Sequence, residues 1–213
     1  MARNLVDFLD KNQQKVFLSL ASPAKIQAFL DGTIYSSDEF NRCPLRVLQD
    51  GIAHCMDGAL FAAAALRQIG YPPLVVDLIP EPGKDDDHML AIYKRDSFYG
   101  AVAKSNFVGL RYREAIYHSP RELVMSYFES YYNVDGEKTL RGYTVPLNLQ
   151  AFDPLEWMWS DANLGVIERR FDEIRRFPIL TAKMVENLSP TDRRTYKAGM
   201  LGVNEAGLYK PKR

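Results

Sequence analysis

An unbroken apolar run from Ala59 to Leu66 constrains the fold of this chain more than any other feature. Alanine is the strongest helix former, and Gly70 supplies the kind of residue with which many helices end. Because apolar side chains surround this helix on all sides, it must be buried on every face. Eight residues are too few to span a bilayer. The run therefore predicts the central helix of a globular core.

A cysteine occupies the first turn of this predicted helix, at position 55. The unpaired N–H groups and the positive dipole end of a helix N-terminus favour a thiolate, which lowers the pKa of a cysteine from about 8.5. The same N–H groups can stabilise an oxyanion. Cys55 is therefore either a small core residue or a nucleophile, and the rest of the chain must decide.

Balanced charge and few cysteines limit the functions open to the chain. Lysine plus arginine and aspartate plus glutamate both number 27, so no net field attracts nucleic acid or an anionic membrane surface. Two cysteines cannot form a disulfide framework, which indicates a reducing compartment. Acidic residues interrupt the first ten positions, so no signal peptide is expected. The composition predicts a cytoplasmic globular protein without a nucleic-acid or membrane partner.

Further elements follow from periodicity and from cap residues. Ser22-Pro23 and Ser119-Pro120 are typical helix starts, a serine cap followed by proline at the first helical position. Two apolar runs on either side of residues 95–97 indicate an antiparallel hairpin. Helices are predicted over 5–20 and 23–30, from 120 to about 128, around 167–174 and after the capping residues 189–192, and strands over 74–79, 88–94, 98–104 and 140–145. Residues 33–50 are expected to be irregular and the tail from Tyr209 loose.

The order of these features resembles that of the transglutaminase-like branch of the papain-like cysteine enzymes. The matching residues are those from Gly51 to Ala59 with the helix that follows, the turn Gly70-Tyr71-Pro72-Pro73, the strand 74–78, and His88 with its hairpin. Residues 23–30 and Tyr35 also resemble that family's approach to its cysteine. The resemblance covers roughly residues 20–107. It implies an α+β fold, in which a central cysteine-bearing helix packs on an antiparallel sheet.

The sequence divides into two segments at about residue 150. Residues 1–150 are predicted to form the transglutaminase-like core with its N-terminal helices. Residues 151–213 are predicted to be a C-terminal helical extension of the same domain.

The resemblance also implies a catalytic triad that performs acyl transfer on a carboxamide. Cys55 would attack a glutamine or peptide carbonyl, and an amine or water would resolve the thioester. The thiol needs a base within hydrogen-bond reach, which the resemblance assigns to His88, and the base needs a third group that fixes its tautomer. The family's aspartate is absent here, since the segment that should carry it reads Lys104-Ser105-Asn106.

Asn106 is the predicted third member, because lysine cannot accept a hydrogen bond from the imidazole and serine would orient it weakly. Ser105 stays open as the alternative. Gln49 lies six residues before Cys55, where papain-like enzymes place a glutamine that stabilises the oxyanion. Neither a metal nor a cofactor is expected.

The remaining candidate residues have simpler interpretations. His54 is interpreted as a loop residue, because adjacent residues at a helix start point apart, and Cys43 as structural or merely exposed. The acidic run 85–87 is interpreted as a solvated loop rather than a metal site. Its charge should favour a protonated His88 and therefore a thiolate–imidazolium pair.

Three classes of function remain open. The first is cysteine-dependent acyl transfer or amide hydrolysis on a peptide or protein substrate, through a thioester on Cys55. The second is a catalytically inactive relative that uses the same cleft to bind a peptide or partner protein. The third is a structural module, for which the aromatic segment 127–132 and the two tryptophans would form an interface.

Overall fold

The computed structural model describes residues 4–211, which form helices packed on an antiparallel sheet. The helices are α1 (Lys11–Ser19), α2 (Pro23–Asp31), α3 (Pro44–Asp50), α4 (Cys55–Gln68), α5 (Pro120–Met125), α6 (Leu164–Glu173), α7 (Ala182–Glu186) and α8 (Arg193–Gly199). The strands are β1 (Ile34–Tyr35), β2 (Ile52–Ala53), β3 (Leu74–Pro80), β4 (His88–Arg95), β5 (Phe98–Val102), β6 (Arg113–Tyr117), β7 (Leu140–Thr144), β8 (Leu147–Asn148) and β9 (Arg176–Pro178). None of these helices is both long and apolar enough to cross a membrane.

The main sheet has the strand order β6-β5-β4-β3-β7-β9, and β8 pairs with the outer part of β3. All its pairings are antiparallel. The short strands β1 and β2 form a separate parallel pair in front of the N-terminus of α4. β3 lies at the centre, with β4 on one side and β7 on the other.

Helix α4 covers one face of this sheet, and its residues 55–66 are all buried. Side chains along β4 alternate between the faces, since Met89 and Ala91 join the apolar cluster around α4, whereas Leu90 and Ile92 join a second cluster on the opposite face. The predicted α+β fold, with a cysteine-bearing helix on an antiparallel sheet, is confirmed.

Local signals set the ends of these central elements. His54 caps α4, because its ring nitrogen Nδ1 accepts from the backbone N–H of Met56, and Gly70 follows the helix with a φ of +94°. The β4–β5 turn places Asp96 and Ser97 at positive φ, as a tight hairpin requires. The strands predicted over 74–79, 88–94 and 140–145 and the helix after Ser119 are confirmed.

Several sequence predictions outside this centre are wrong. The single helix predicted over 5–20 is broken by Asp10, whose carboxylate caps a new helix, α1. Residues 33–50, expected to be irregular, contain β1 and α3. By contrast, the last helix, predicted to follow residues 189–192, begins after Asp192, whose carboxylate accepts from two backbone N–H groups. At Asp10, therefore, a cap signal overrides a continuous apolar pattern.

The C-terminal part of the chain returns to the sheet and to the cysteine. β9 pairs with β7 at the sheet edge, and the hydroxyl of Tyr132 donates a hydrogen bond to the carbonyl of Thr195 in the first turn of α8. Residues 204–210, named the strap here, pass over the N-terminal end of α4 and are packed rather than loose. The division of the chain at residue 150 stays a prediction, and residues 212–213 of the predicted tail lie outside the described residues.

Candidate functional site

Cys55 is the first residue of α4 and lines a cleft of about 580 Å³. Its side chain is almost covered, with 8% of the residue exposed. The sulfur Sγ lies 3.9 Å from the carbonyl oxygen of Asp87, which precedes β4. The cleft is bounded by β1 and the loop after it, by the N-terminus of α4, by the acidic loop 85–87 and by the strap.

The surroundings of Cys55 favour the neutral thiol. Burial raises the pKa of Cys55 well above its usual range, and the charges of Asp87 and Asp86 raise it further. This corrects the expected low pKa, because desolvation and two carboxylates outweigh the helix N-terminus. The acidic loop therefore acts against a thiolate instead of supporting a thiolate–imidazolium pair.

His88 lies on the opposite face of the sheet from Cys55. It pairs with Leu78 on β3 and shares its side with Leu90, and both of those residues belong to the cluster that faces away from α4. Its ring nitrogen Nε2 lies 2.7 Å from the carbonyl oxygen of Leu110. Met89, the next residue, points toward α4 and lines the cleft of Cys55. His88 instead lines a smaller cavity of about 50 Å³, which adjoins the cleft and shares Asp86 and Asp87 with it.

Burial keeps the imidazole of His88 neutral. It lowers the pKa of His88 to about 4, and the charge of Arg113 acts in the same direction, while the Leu110 carbonyl opposes them. A group orients the imidazole as predicted, but it is this backbone carbonyl rather than a side chain. A backbone acceptor leaves no signal in the sequence, so residue types alone could not predict the contact of His88 with Leu110.

Asn106 holds the strap. Its side-chain Nδ2 donates to the carbonyl of Asn204 at 2.9 Å and to that of Gly207 at 3.3 Å, and its Oδ1 accepts from the N–H of Asn204 at 2.8 Å. These bonds use both ends of the amide, so the predicted geometry, with Asn106 orienting His88, is not formed. The alternative, Ser105, accepts from the N–H of Phe107 through its hydroxyl.

Lys104, in the segment where the resemblance predicts the family's aspartate, caps a helix. Its Nζ donates to the carbonyls of Leu30 and Thr33 at 2.8 and 2.6 Å, at the C-terminal end of α2. Burial lowers the pKa of Lys104 to about 8. The side chain passes so close to Gly58 that a Cβ there would lie 2.2 Å from the Cβ of Lys104. Lys104 therefore belongs to the packing of α2 and α4 against β5.

The other candidates from the sequence have structural positions. Gln49 is exposed on α3 and lies outside the residues that line the cleft. Cys43 is buried, and burial raises its pKa to about 12. His54, predicted to be a loop residue, caps α4 and lines the cleft. Asp57, which the sequence did not single out, accepts from the N–H groups of Arg42 and His54 and is fully buried.

The cleft carries a marked negative charge. Its lining includes one lysine and the carboxylates of the loop before α3, of the acidic loop and of α6 (Asp38, Glu39, Asp86, Asp87 and Glu168). Within residues 4–211, Asp38 alone among these carboxylates has a close arginine, Arg42. Asp77 on β3 lies on the same face of the sheet as α4, and its buried Oδ1 has no hydrogen-bond partner within residues 4–211. Within that range, no group of three His, Cys, Asp or Glu residues is suited to a metal ion.

Comparison with known proteins leaves the family open. No protein-family model and no curated protein matches the chain. LapG of Legionella pneumophila has a similar solved structure, with 18% identity over 47% of this chain and 68% of that chain and a TM-score of 0.36. The EGTA-treated form of LapG gives 16% identity over 52% and 71%, with a TM-score of 0.37. The transglutaminase-like assignment therefore stays a prediction from the sequence, and so do the catalytic roles of Cys55, His88 and Asn106.

Proposed function

We propose that this protein is a transglutaminase-like binding module, whose acidic cleft beside Cys55 holds a positively charged peptide segment. The observation that carries this proposal is the separation of Cys55 and His88 on the two faces of the sheet. A nucleophilic cysteine needs a base that it can reach by a hydrogen bond, either directly at about 3 Å or through one bridging water. Here the imidazole is bonded to Leu110 instead.

The protonation states of both residues support the same conclusion. A thiol with a raised pKa and a histidine with a pKa of about 4 are both neutral at pH 7. Neither state favours proton transfer between them, because the thiol holds its proton tightly and the imidazole is a weak base.

The size and charge of the cleft support a peptide ligand. Its volume of about 580 Å³ lies in the ordinary range for ligand sites. The carboxylates of Glu39, Asp86 and Glu168 line it, and Asp87 adds a carboxyl group whose pKa is raised by burial to about 7, so a lysine or arginine side chain of a ligand would gain favourable contacts.

Cysteine-dependent acyl transfer or amide hydrolysis is the second candidate. It is favoured by the position of Cys55 at the first residue of α4, where the free N–H groups of the first turn could stabilise an oxyanion. This candidate requires a rearrangement that brings a base to the sulfur.

Alkylation kinetics separate the two candidates. We expect iodoacetamide to label Cys55 slowly at pH 6–7, and the substitution His88→Gln to leave the rate unchanged, because the imidazole lies across the sheet. Mass spectrometry of the labelled peptides distinguishes Cys55 from Cys43. Rapid labelling at pH 6–7 that slows in His88→Gln would instead support the enzyme, as would ammonia release from glutamine peptides that Cys55→Ala abolishes.

Ligand charge is tested by titration with basic peptides. We expect a lysine-rich peptide to bind, and Glu168→Gln and Asp86→Asn each to weaken it a few-fold, since rim charges contribute about 1 kcal/mol or less. Glu186→Gln on α7 is the matched control, because Glu186 is exposed outside the cleft. An acidic peptide of the same length that binds equally well would contradict the proposal.

A further inference from the structure

We infer that the strap, which forms one wall of the cleft, takes the place of part of a peptide ligand, and that such a ligand binds by displacing it. This inference rests on the proposed function, and it names both the regulation of the site and the form of its ligand. Strap residues 206–210 line the same cleft as Cys55.

The side-chain amide of Asn106 binds the backbone of the strap through three hydrogen bonds. It exchanges two hydrogen bonds with the backbone of Asn204 and adds one to the carbonyl of Gly207. The side chain of Asn204 donates in turn to the carbonyl of Tyr35 on β1. Most of these bonds use the backbone of the strap, which turns through a 3-10 helix over Glu205–Gly207, so another peptide that adopts the same turn could form them.

Gly207 fits a narrow passage against the ring of Tyr35. A Cβ at this position would lie 3.0 Å from Cδ1 and Cε1 of the ring and 3.2 Å from the carbonyl oxygen of Ser36. A larger residue here therefore requires the Tyr35 ring or the Ser36 carbonyl to shift by a few tenths of an ångström. This contact selects glycine in the strap, and it would select glycine in a ligand that follows the same path.

The strap also carries the charge that the cleft favours. Lys210, three residues after Gly207, lines the cleft together with Asp86, Asp87 and Glu168. We therefore expect the ligand to be a peptide that makes the same turn as the strap, with a glycine at Tyr35 and a lysine or arginine three residues later.

Release of the strap needs little unfolding. Residues 204–210 are all half-buried or exposed, so no fully buried side chain anchors them to the core. Segments of this kind open with small free energies, while the packed core stays closed. The strap can therefore exchange with a ligand in the folded protein.

The first experiment loosens the strap in the full chain and follows Cys55. We expect Asn106→Ala and Gly207→Val each to raise the rate of iodoacetamide labelling at about pH 9 by roughly tenfold, which corresponds to about 1.4 kcal/mol. Glu205→Gln, at an exposed strap position, is the control and should label like the parent. Melting temperatures close to that of the parent show that the core stays folded. Labelling rates equal to that of the parent in both variants would overturn the inference.

The second experiment supplies the strap from outside. A synthetic peptide with the sequence of residues 204–211 should bind the full-chain Gly207→Val protein and return the labelling of Cys55 to the slow rate. The same peptide with valine in place of its glycine should not protect. Failure of the first peptide to protect would overturn the inference. Turnover that depends on Cys55 and His88 would overturn the proposed function alone, because protection by the peptide does not depend on it.

Discussion

At the scale of single residues, one contact fixes the tautomer of His88, while burial keeps its ring neutral. The carbonyl oxygen of Leu110 only accepts, so the nitrogen Nε2 that faces it at 2.7 Å must carry the proton. The ring is neutral and buried, with a pKa of about 4 against an ordinary value of 6.5. Folding therefore opposes the protonation of His88.

This linkage predicts a loss of stability in acid. The unfolded chain takes up a proton at His88 as the pH falls below about 6.5, whereas the folded protein takes it up only near 4. Between pH 7.5 and 4.5 we expect the free energy of unfolding of the parent to fall by about 2–3 kcal/mol more than that of His88→Gln. Urea unfolding at the two pH values measures this difference. Equal pH dependence of the two proteins would show that His88 is not buried as a neutral ring.

The sequence identifies candidate site residues more reliably than it predicts what those residues do. A cysteine at the start of an apolar helix is a local pattern, so the sequence alone identifies Cys55 as a candidate nucleophile. Asn106 and Lys104 were considered only as partners of His88, yet Asn106 binds the strap, nearly a hundred residues later, and Lys104 caps α2. Such partners come from distant parts of the chain, so no local pattern announces them.

At the scale of elements, the contact of α4 with β5 depends on a glycine. Gly58 lies in the first turns of α4, where the side chain of Lys104 crosses the helix on its way to the carbonyls at the end of α2. The absence of a side chain at position 58 lets strand and helix approach closely. One glycine therefore allows Lys104 to reach its acceptors.

Two glycine-to-alanine substitutions test this contact with opposite expected signs. Gly58→Ala should lower the free energy of unfolding by about 1–3 kcal/mol, because the new Cβ would overlap the Cβ of Lys104. Gly165→Ala in α6 is the matched control and should stabilise by up to about 1 kcal/mol, since only the end of the Arg169 side chain is near. Chemical denaturation measures both. Similar effects of the two substitutions would contradict the close approach.

The face of a strand was harder to predict than the strand itself. Alternation and turn residues predicted β3, β4 and β5 correctly, because these signals are local. The side on which His88 lies depends on the pairing of His88 with Leu78, which is set across the loop 81–87. A shift of one residue in that pairing would exchange the faces of every side chain in β4.

At the scale of the whole molecule, the cleft gathers segments that are far apart in the sequence. β1, the start of α4, the acidic loop 85–87, α6 and the strap all contribute side chains. The sequence resemblance covered roughly residues 20–107 and so could not include the last two. The charge of the cleft and the strap that covers it emerge only in the folded structure.

The centre of the sheet carries one unpaired polar group, which predicts a stabilising substitution. The Oδ1 atom of Asp77 on β3 is buried and has no hydrogen-bond partner within residues 4–211. Asp77→Val should therefore raise the free energy of unfolding by about 1–3 kcal/mol, because it removes a buried polar group without a partner. Asp77→Asn, which keeps a polar group there, should gain little. Denaturant unfolding of both variants compares them, and a less stable Asp77→Val protein would contradict the prediction.

The central position of β3 also affects the chain while it is being synthesised. β3 pairs with β4 almost at once, but its other edge is bare until β7 is made, roughly 3–12 s later at 5–20 residues per second. A bare apolar edge strand promotes aggregation between nascent chains, and Asp77 is the only charged residue in β3. Asp77 would thus act as a gatekeeper during synthesis. Asp77→Val should accordingly yield less soluble protein on expression than the parent, even though the folded variant is more stable.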